Sequence, residues 1–373
     1  MKRRHILCMV LALALVGPAT RASADGITIG LAGPISGDYA EFGAQVKHGV
    51  ERAIADINAA GGVLGQQLRL EIGDDKCDAG RAERVARGLV SDDAVFVVGH
   101  FCSQASIPAA PIYAKAGVLQ ITPSSSNPEL TDKSASAGRK TLFRTCNRDD
   151  QQGYFAGQWL AEHYKGKRVA IVHDRTPFGK LVAGMAKKGL NAGGLKEAVQ
   201  QSVDADESDY GDLVEDLAEA QIDALYFGGY HRDAARILKQ MREAGLKAAM
   251  FGADSLQTEE FAKLAGSASD GVMITSNPDV RKLASAKNAV DAIRREGFEP
   301  EGYTLLSYAA VQVWALAANK AGTTDAEGVA AALRGQAWDT VIGPLSFDAK
   351  GDLAQQTFTW LVFKNGKYDE AGL

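Results

Sequence analysis

From Ile27 onward, short apolar runs alternate with longer stretches in which apolar residues recur at helical spacing. "ITIGLAGP" reads as a strand ending in Gly and Pro, and "FGAQVKHGVERAIADINAAGG" as the helix that follows. In that helix Val46, Val50, Ile54 and Ile57 share a face, and Gly61-Gly62 stops it. "QLRLEIGDD" gives the next strand, with Leu68, Leu70 and Ile72 on one side, and a second helix is expected over 79–91. The unit recurs in "AVFVVGH", "GVLQITPS", "RVAIVHD", "DALYFGGY", "AAMFGAD" and "GVMITSNP", each an apolar strand whose last residues turn polar. This rhythm predicts an α/β protein with parallel sheets and flanking helices. Ligands of such sheets bind beyond the carboxyl ends of the strands, which directs attention to "GHFCS", "TPSSS", "HDRTPFG", "GGYH" and "GADS".

The first 24 residues break the pattern. Lys2, Arg3 and Arg4 precede an apolar run from Ile6 to Val16, and Ala22-Ser23-Ala24 supplies the small residues of a cleavage site. This predicts a signal peptide over 1–24, with cleavage after Ala24 and export of the chain. Cys8 lies at the start of the apolar run, which argues against a lipoprotein and for a soluble exported chain. No later segment approaches the roughly 18 uninterrupted apolar residues of a membrane span. The formal charge is −5, and removal of Lys2, Arg3, Arg4 and Arg21 with no acid takes it to −9. An acidic exported chain is a poor candidate for nucleic acid.

The 349 residues left of 373 exceed the usual size of one core and predict two domains. "RTCNRDDQQG", Arg144 to Gly153, lacks apolar periodicity and is expected to cross between them, with a second crossing near 276–280.

Cys77, Cys102 and Cys146 remain in an oxidising compartment, a count that suits one pair and one odd thiol. A Cys77 to Cys102 bridge would close 26 residues and contribute roughly 3–4 kcal/mol in the chain-entropy model. Cys102 could alternatively be a nucleophile with His100 as its base, since residues two apart in an extended segment point the same way, or a free structural thiol. The six histidines (His5, His48, His100, His163, His173, His231) form no HxxH or HExxH pattern, the cysteines form no CxxC, and no phosphate loop is present. No metal or cofactor is therefore expected. The glycine pairs Gly61-Gly62, Gly193-Gly194 and Gly228-Gly229 read as helix stops or tight strand ends.

Two serine-rich strand ends carry a different chemistry. "CSQASIPAAPIYAKAG" places Ser103 as a helix N-cap, where its hydroxyl and nearby free N–H groups could receive a carboxylate. "TPSSSNPELTDK" sets Ser124, Ser125 and Ser126 ahead of another helix. In the second half, Tyr230 and Asp254 end strands that would face these serines across a cleft. Asp254 alone reads as a helix cap. Opposite an anion site, a carboxylate in a partly dry cleft calls for a cation, and a ligand ammonium would supply it.

At these residues the chain resembles the periplasmic substrate-binding proteins of branched-chain amino acid ABC transporters, which have the two-lobed type I periplasmic binding protein fold. "ISGDYAEFG", "INAAGGVLGQQL", "DDKCD", "VVGHFCS", "ITPSSSNPEL", "FRTCNRDDQQG", "VAIVHDRTPFG", "YFGGYH" and "VIGPLSFDAKGDL" appear in the family's order. The resemblance implies two α/β lobes joined by a three-stranded hinge, one over 25–145 and 278–355 and the other over 146–277 and 356–373. The third crossing, near Gln355, rests on it. So does the pairing of Cys77 with Cys102, which makes "GHFCSQAS" a ligand-binding loop. Ser103 matches a carboxylate-binding serine, Ser126 a threonine at the ligand's polar head, and Ser124 a carbonyl that takes the ammonium. Tyr230 matches a second-lobe tyrosine, and Asp254 a glutamate paired with the ammonium, one methylene longer. Phe42 and Phe178 stand in place of tyrosines and Phe101 in place of a leucine, so more phenyl surface lines the pocket.

The implied protein is a monomeric periplasmic carrier without catalytic role, which closes on an apolar, branched-chain amino acid and presents it to an inner-membrane ABC permease. An aromatic amino acid, aromatic acid or amide in the same fold is the alternative, and an exported cysteine hydrolase using Cys102 the remote one.

Overall fold

The structure, a computed structural model, describes residues 26–372; the expected signal peptide lies outside them. The strands and helices in chain order are β1 (Ile27–Gly33), α1 (Ala40–Ala59), β2 (Leu68–Asp74), α2 (Ala79–Ser91), β3 (Phe96–Gly99), α3 (Ser103–Ala116), β4 (Leu119–Thr122), α4 (Pro128–Ser136) and β5 (Leu142–Arg144). They continue with α5 (Asp149–His163), β6 (Val169–His173), α6 (Pro177–Ala192), β7 (Val199–Ser202), α7 (Gly211–Glu219), β8 (Ala224–Gly228), α8 (His231–Glu243), β9 (Ala249–Gly252), α9 (Glu259–Ala265) and β10 (Met273–Ser276). The last elements are α10 (Lys287–Arg295), α11 (Thr304–Ala321), α12 (Ala326–Arg334), the hairpin β11 (Trp338–Thr340) and β12 (Gly343–Leu345), then β13 (Thr359–Lys364) and β14 (Lys367–Glu370).

Local sequence accounts for these boundaries. Phe42, Val46, Val50 and Ala53 form the buried face of α1. Asp78 caps α2 by accepting the Arg81 N–H at 2.7 Å, and Thr176 caps α6 directly ahead of Pro177. Gly117 ends α3 in the left-handed conformation.

The strands form two main sheets. The first has the order β2-β1-β3-β4-β5 and is parallel throughout; the second runs β14-β13-β10-β9-β8-β6-β7. The second sheet departs from the expected parallel pattern only at its edge, where β10–β13 and β13–β14 pair antiparallel. A tight return after Lys364 joins β13 to β14, so no crossover helix is needed there. The shared face expected of Leu68, Leu70 and Ile72 is also only partly buried: Ile72 is 43% exposed because β2 is the edge of its sheet.

Helices α10, α11 and α12 return to the first sheet. Trp314 of α11 stacks on Phe96 with ring centroids 4.8 Å apart, and α11 packs along α1. The chain thus changes sheet after Arg144, after Ser276 and again before Thr359. These crossings are tied together: the Asn147 side-chain amide donates to Thr357 O at 2.6 Å and to the Asn277 side chain, and Arg148 N–H donates to Gln356 Oε1 at 2.8 Å. The aperiodic stretch 144–153 is shorter than expected, because α5 already begins at Asp149 with two acids in its first turn.

Candidate functional site

The carboxyl ends of β3 and β4 in one lobe and of β8 and β9 in the other meet at a common cleft. After β3, Cys102 is the N-cap of α3, in extended conformation, with its carbonyl accepting the N–H groups of Ala105 and Ser106 at 3.0 Å. Ser103 is therefore the first helical residue and not the cap expected from sequence. Its hydroxyl still lies at the positive end of a helix with no acid in its first turn, and it accepts the Asn127 N–H at 3.3 Å.

Cys102 is bonded to Cys77, with Cα atoms 5.4 Å apart. Both nitrogens of His100 are engaged, Nδ1 with Asp75 Oδ2 at 2.5 Å and Nε2 with the Tyr113 hydroxyl at 3.0 Å. The nucleophile-and-base reading of this pair is thereby corrected: Cys102 carries no thiol and His100 is turned away into the core. Cys146 is the free cysteine among the described residues, and burial pushes its thiol up.

The loop is held from behind by hydroxyls. Thr122 donates to His100 O at 2.8 Å and Ser124 to Phe101 O at 2.8 Å, while the hydroxyls of Ser125 and Ser106 lie 3.0 and 3.1 Å from His100 O, one of them donating to that carbonyl and the other to its neighbouring hydroxyl. Ser125 also pairs with Ser106 Oγ at 2.6 Å, so its hydroxyl is committed to loop support. Behind them the fully buried Arg144 donates to Ser125 O at 2.8 Å and Asn127 O at 3.1 Å, and its Nε lies 2.6 Å from the Asp352 carboxylate. Ser126, buried in the same loop, sits beside α5, with its carbonyl accepting the Asp149 N–H at 3.1 Å.

Aromatic rings meet where the lobes touch. Tyr230, the N-cap of α8, donates its hydroxyl to Cys102 Sγ across the cleft at 3.5 Å. Phe178 lies 5.3 Å from its ring and Tyr39 4.8 Å. Phe42 stacks on Phe101 at 4.8 Å, and Tyr303, in front of α11, meets Phe101 edge-on at the same distance. The three phenylalanines singled out from sequence are thus brought together with Tyr230.

Asp254 opens a short 3-10 turn after β9, and Ala253, not Asp254, takes the cap position. Only 9% of Asp254 is exposed, and its Oδ1 has no hydrogen-bond partner. Burial pushes this carboxyl up to about 6, while Gln152 and Tyr303 hold it down. Asp149 is wholly buried, both its oxygens lack partners, and burial drives it well above the usual carboxylate range, with Asp254 adding to the effect and the Ser126 hydroxyl and Arg144 opposing it. Asp149, joined to Ser126 of the serine loop, and Asp254 after β9 are thus two buried acids suited to a cation, and the amino end of α3 is suited to an anion.

Sequence reasoning missed Asp149, Gln152 and Tyr303. Asp149 carried a faint signal as one of two acids opening a helix. Tyr303 carried less, since it lies far in sequence from every residue it packs against in the cleft.

The periplasmic binding protein family model matches residues 26–367. The chain belongs to the periplasmic binding protein family. Among curated relatives of this binding protein, a Leu/Ile/Val-binding protein homolog 2 from Brucella abortus is 41% identical over 371 residues, covering 98% of this chain and 99% of the relative. A leucine-, isoleucine-, valine-, threonine- and alanine-binding protein from Pseudomonas aeruginosa is 41% identical over 350 residues, 93% of each. Among solved structures, the branched-chain amino acid transporter substrate-binding protein LivJ from Streptococcus pneumoniae, in complex with isoleucine, superposes with a TM-score of 0.83 at 26% identity, over 92% of this chain and 98% of that one. The binding protein therefore has the two-lobed type I fold, and its cleft lies where the two sheets present their carboxyl ends.

Proposed function

We propose that this binding protein captures an apolar, branched-chain amino acid between its lobes in the periplasm and delivers it to an inner-membrane ABC permease. The lobes are assigned as 25–145 with 278–355 and 146–277 with 356–373, and the exported chain begins after Ala24 and acts as a monomer. The observation that carries the reading is Asp254, a buried carboxylate with an unpartnered oxygen, in the lobe whose Tyr230 reaches the Cys102 cap of α3. A zwitterion complements both poles: its carboxylate goes to Ser103, Ser126 and the free N–H groups of α3, and its ammonium to Asp254 and Asp149, with Ser124 beside it. Phe42, Phe101, Phe178 and Tyr230 supply apolar and aromatic walls for the side chain, alongside the Cys77–Cys102 bridge. The names of the relatives, which specify leucine, isoleucine and valine, support the same class.

A thermal-shift screen of protein unfolded and refolded to remove bound ligand tests this. Leucine, isoleucine or valine at 100 times Kd should add about 2.7 kcal/mol of stability. A response confined to aromatic acids or amides would replace the ligand class, and no response to any amino acid would reject the zwitterion site.

A further inference from the structure

Glu301 lies three residues ahead of α11, in the link from α10; both helices pack on α1 of the first lobe. Its carboxylate nevertheless reaches the second lobe. It accepts the Glu259 N–H at 3.1 and 3.3 Å, with the Thr258 hydroxyl 3.5 Å away, at the start of α9. The Tyr368 hydroxyl of β14 stands 3.5 Å from its other oxygen. Glu301 is 4% exposed and makes no ion pair among the described residues. The adjacent Gly302, at φ +50°, presses the same segment onto the second lobe: a Cβ there would strike the Gln45 side chain and stand 3.1 Å from Gln257 O. Tyr303 follows immediately and walls the cleft, so the contact is linked to the ligand site through two peptide bonds.

No surrounding cation forms an ion pair with this carboxylate among the described residues. Arg281 lines the same cleft, but it pairs with Asp279 at 2.9 Å and Glu299 at 3.1 Å and lies over the Tyr368 ring. Arg294 pairs with Glu299 and Lys282 with Asp369. Burial is the main influence raising Glu301, Glu259 of α9 and Glu41 of α1 add to it, and the Glu259 N–H and Arg281 oppose it; the carboxyl is pushed up to about 7. Lys367 and Asp369 of β14 line the same solvent-open cleft, through which a proton can reach Glu301.

We propose that Glu301 is a closure clasp, a positioning residue that fastens the first lobe to the start of α9 and takes up a proton as the lobes close, so that closure weakens as the medium becomes alkaline. In the open state the side chain faces water and titrates as an ordinary glutamate. Its proton affinity is thus higher in the closed state, and by linkage closure is favoured below about pH 4, with the advantage lost progressively up to about pH 7. The amino-acid arm of the test rests on the proposed function; the scattering arm does not.

Small-angle scattering of ligand-free wild type, Glu301→Gln and Glu301→Ala at pH 6 and 8.5 reads closure directly. Wild type should be more compact at pH 6. Glu301→Gln, which keeps an acceptor without charge, should be compact at both values, and Glu301→Ala expanded at both. Leucine titration calorimetry on the same proteins should show wild-type affinity falling by up to about tenfold between pH 6 and 8.5, with Glu301→Gln losing that fall. Identical scattering and identical pH profiles in the three proteins would overturn the clasp. Scattering that follows the expected pattern without binding of any amino acid would sustain the clasp and reject the ligand class; leucine binding with three identical profiles would do the reverse.

Discussion

In the proposed site, Asp254 carries both recognition and a pH response. Its carboxyl sits at about 6 without ligand because burial disfavours the charged form. A bound ammonium stabilises that charged form and lowers the value. Amino-acid binding then releases a proton below about pH 6, so affinity should rise from about pH 4 to 6 and level off above, opposite in sign to the Glu301 effect. Calorimetry in buffers of different ionisation enthalpy checks the proton release at pH 5. Asp254→Asn should abolish the rising limb and weaken leucine binding by at least tenfold, with its thermal unfolding unchanged or shifted upward, because the variant removes an unpaired buried charge. The strand ending in "GADS" made Asp254 legible in the sequence, but taken alone it read as a helix cap. Distinguishing them required Ala253 to be seen in the cap position and Oδ1 to be seen without a partner.

At the scale of an element, the serine loop after β4 depends on Arg144. That guanidinium, at the end of β5, holds the carbonyls of Ser125 and Asn127 while paired to Asp352. Arg144→Ala would leave Asp352 with Arg148 as its one cationic partner and Ser125 O without a donor, while Asn127 O would keep the Leu130 N–H alone. The expected cost is about 3–5 kcal/mol in chemical denaturation, together with weaker leucine binding, because Ser126 and the Asn127 link to Ser103 would lose their fixed positions. A variant with unchanged stability would show that Arg148, also 2.6 Å from Asp352, suffices to compensate it. The strands and helices themselves were readable from periodicity, since β3, β4, β8 and β9 each hold a short apolar run with a polar end. What periodicity could not give was the edge position of β2 or the antiparallel β13 and β14, because pairing partners are chosen across the fold and not along the chain.

For the whole molecule, closure brings the first-lobe segment 301–303 against the second lobe. Gly302 is required there on two grounds, its positive φ and the absence of space for a Cβ between Gln45 and Gln257 O. Gly302→Ala should therefore favour the open form: leucine affinity should fall several-fold, more through faster dissociation than slower association, as stopped-flow fluorescence would resolve. An equal loss of stability in the ligand-free protein, with affinity intact, would assign Gly302 to local folding alone.

The sequence by itself determined the alternation of strands and helices, the polar strand ends where a ligand would bind, and the serine, tyrosine and aspartate positions at those ends. All of these follow from neighbours within a few residues, where steric and hydrophobic periodicity acts. The tertiary structure decided which cysteines meet, that His100 serves Asp75 and Tyr113 and not Cys102, and that Asp149, Tyr303 and Glu301 enter the cleft or its margin. Those outcomes depend on burial and on contacts between residues far apart in the chain, and burial, which turns an ordinary carboxylate into one that must find a cation or a proton, exists only once the chain has folded.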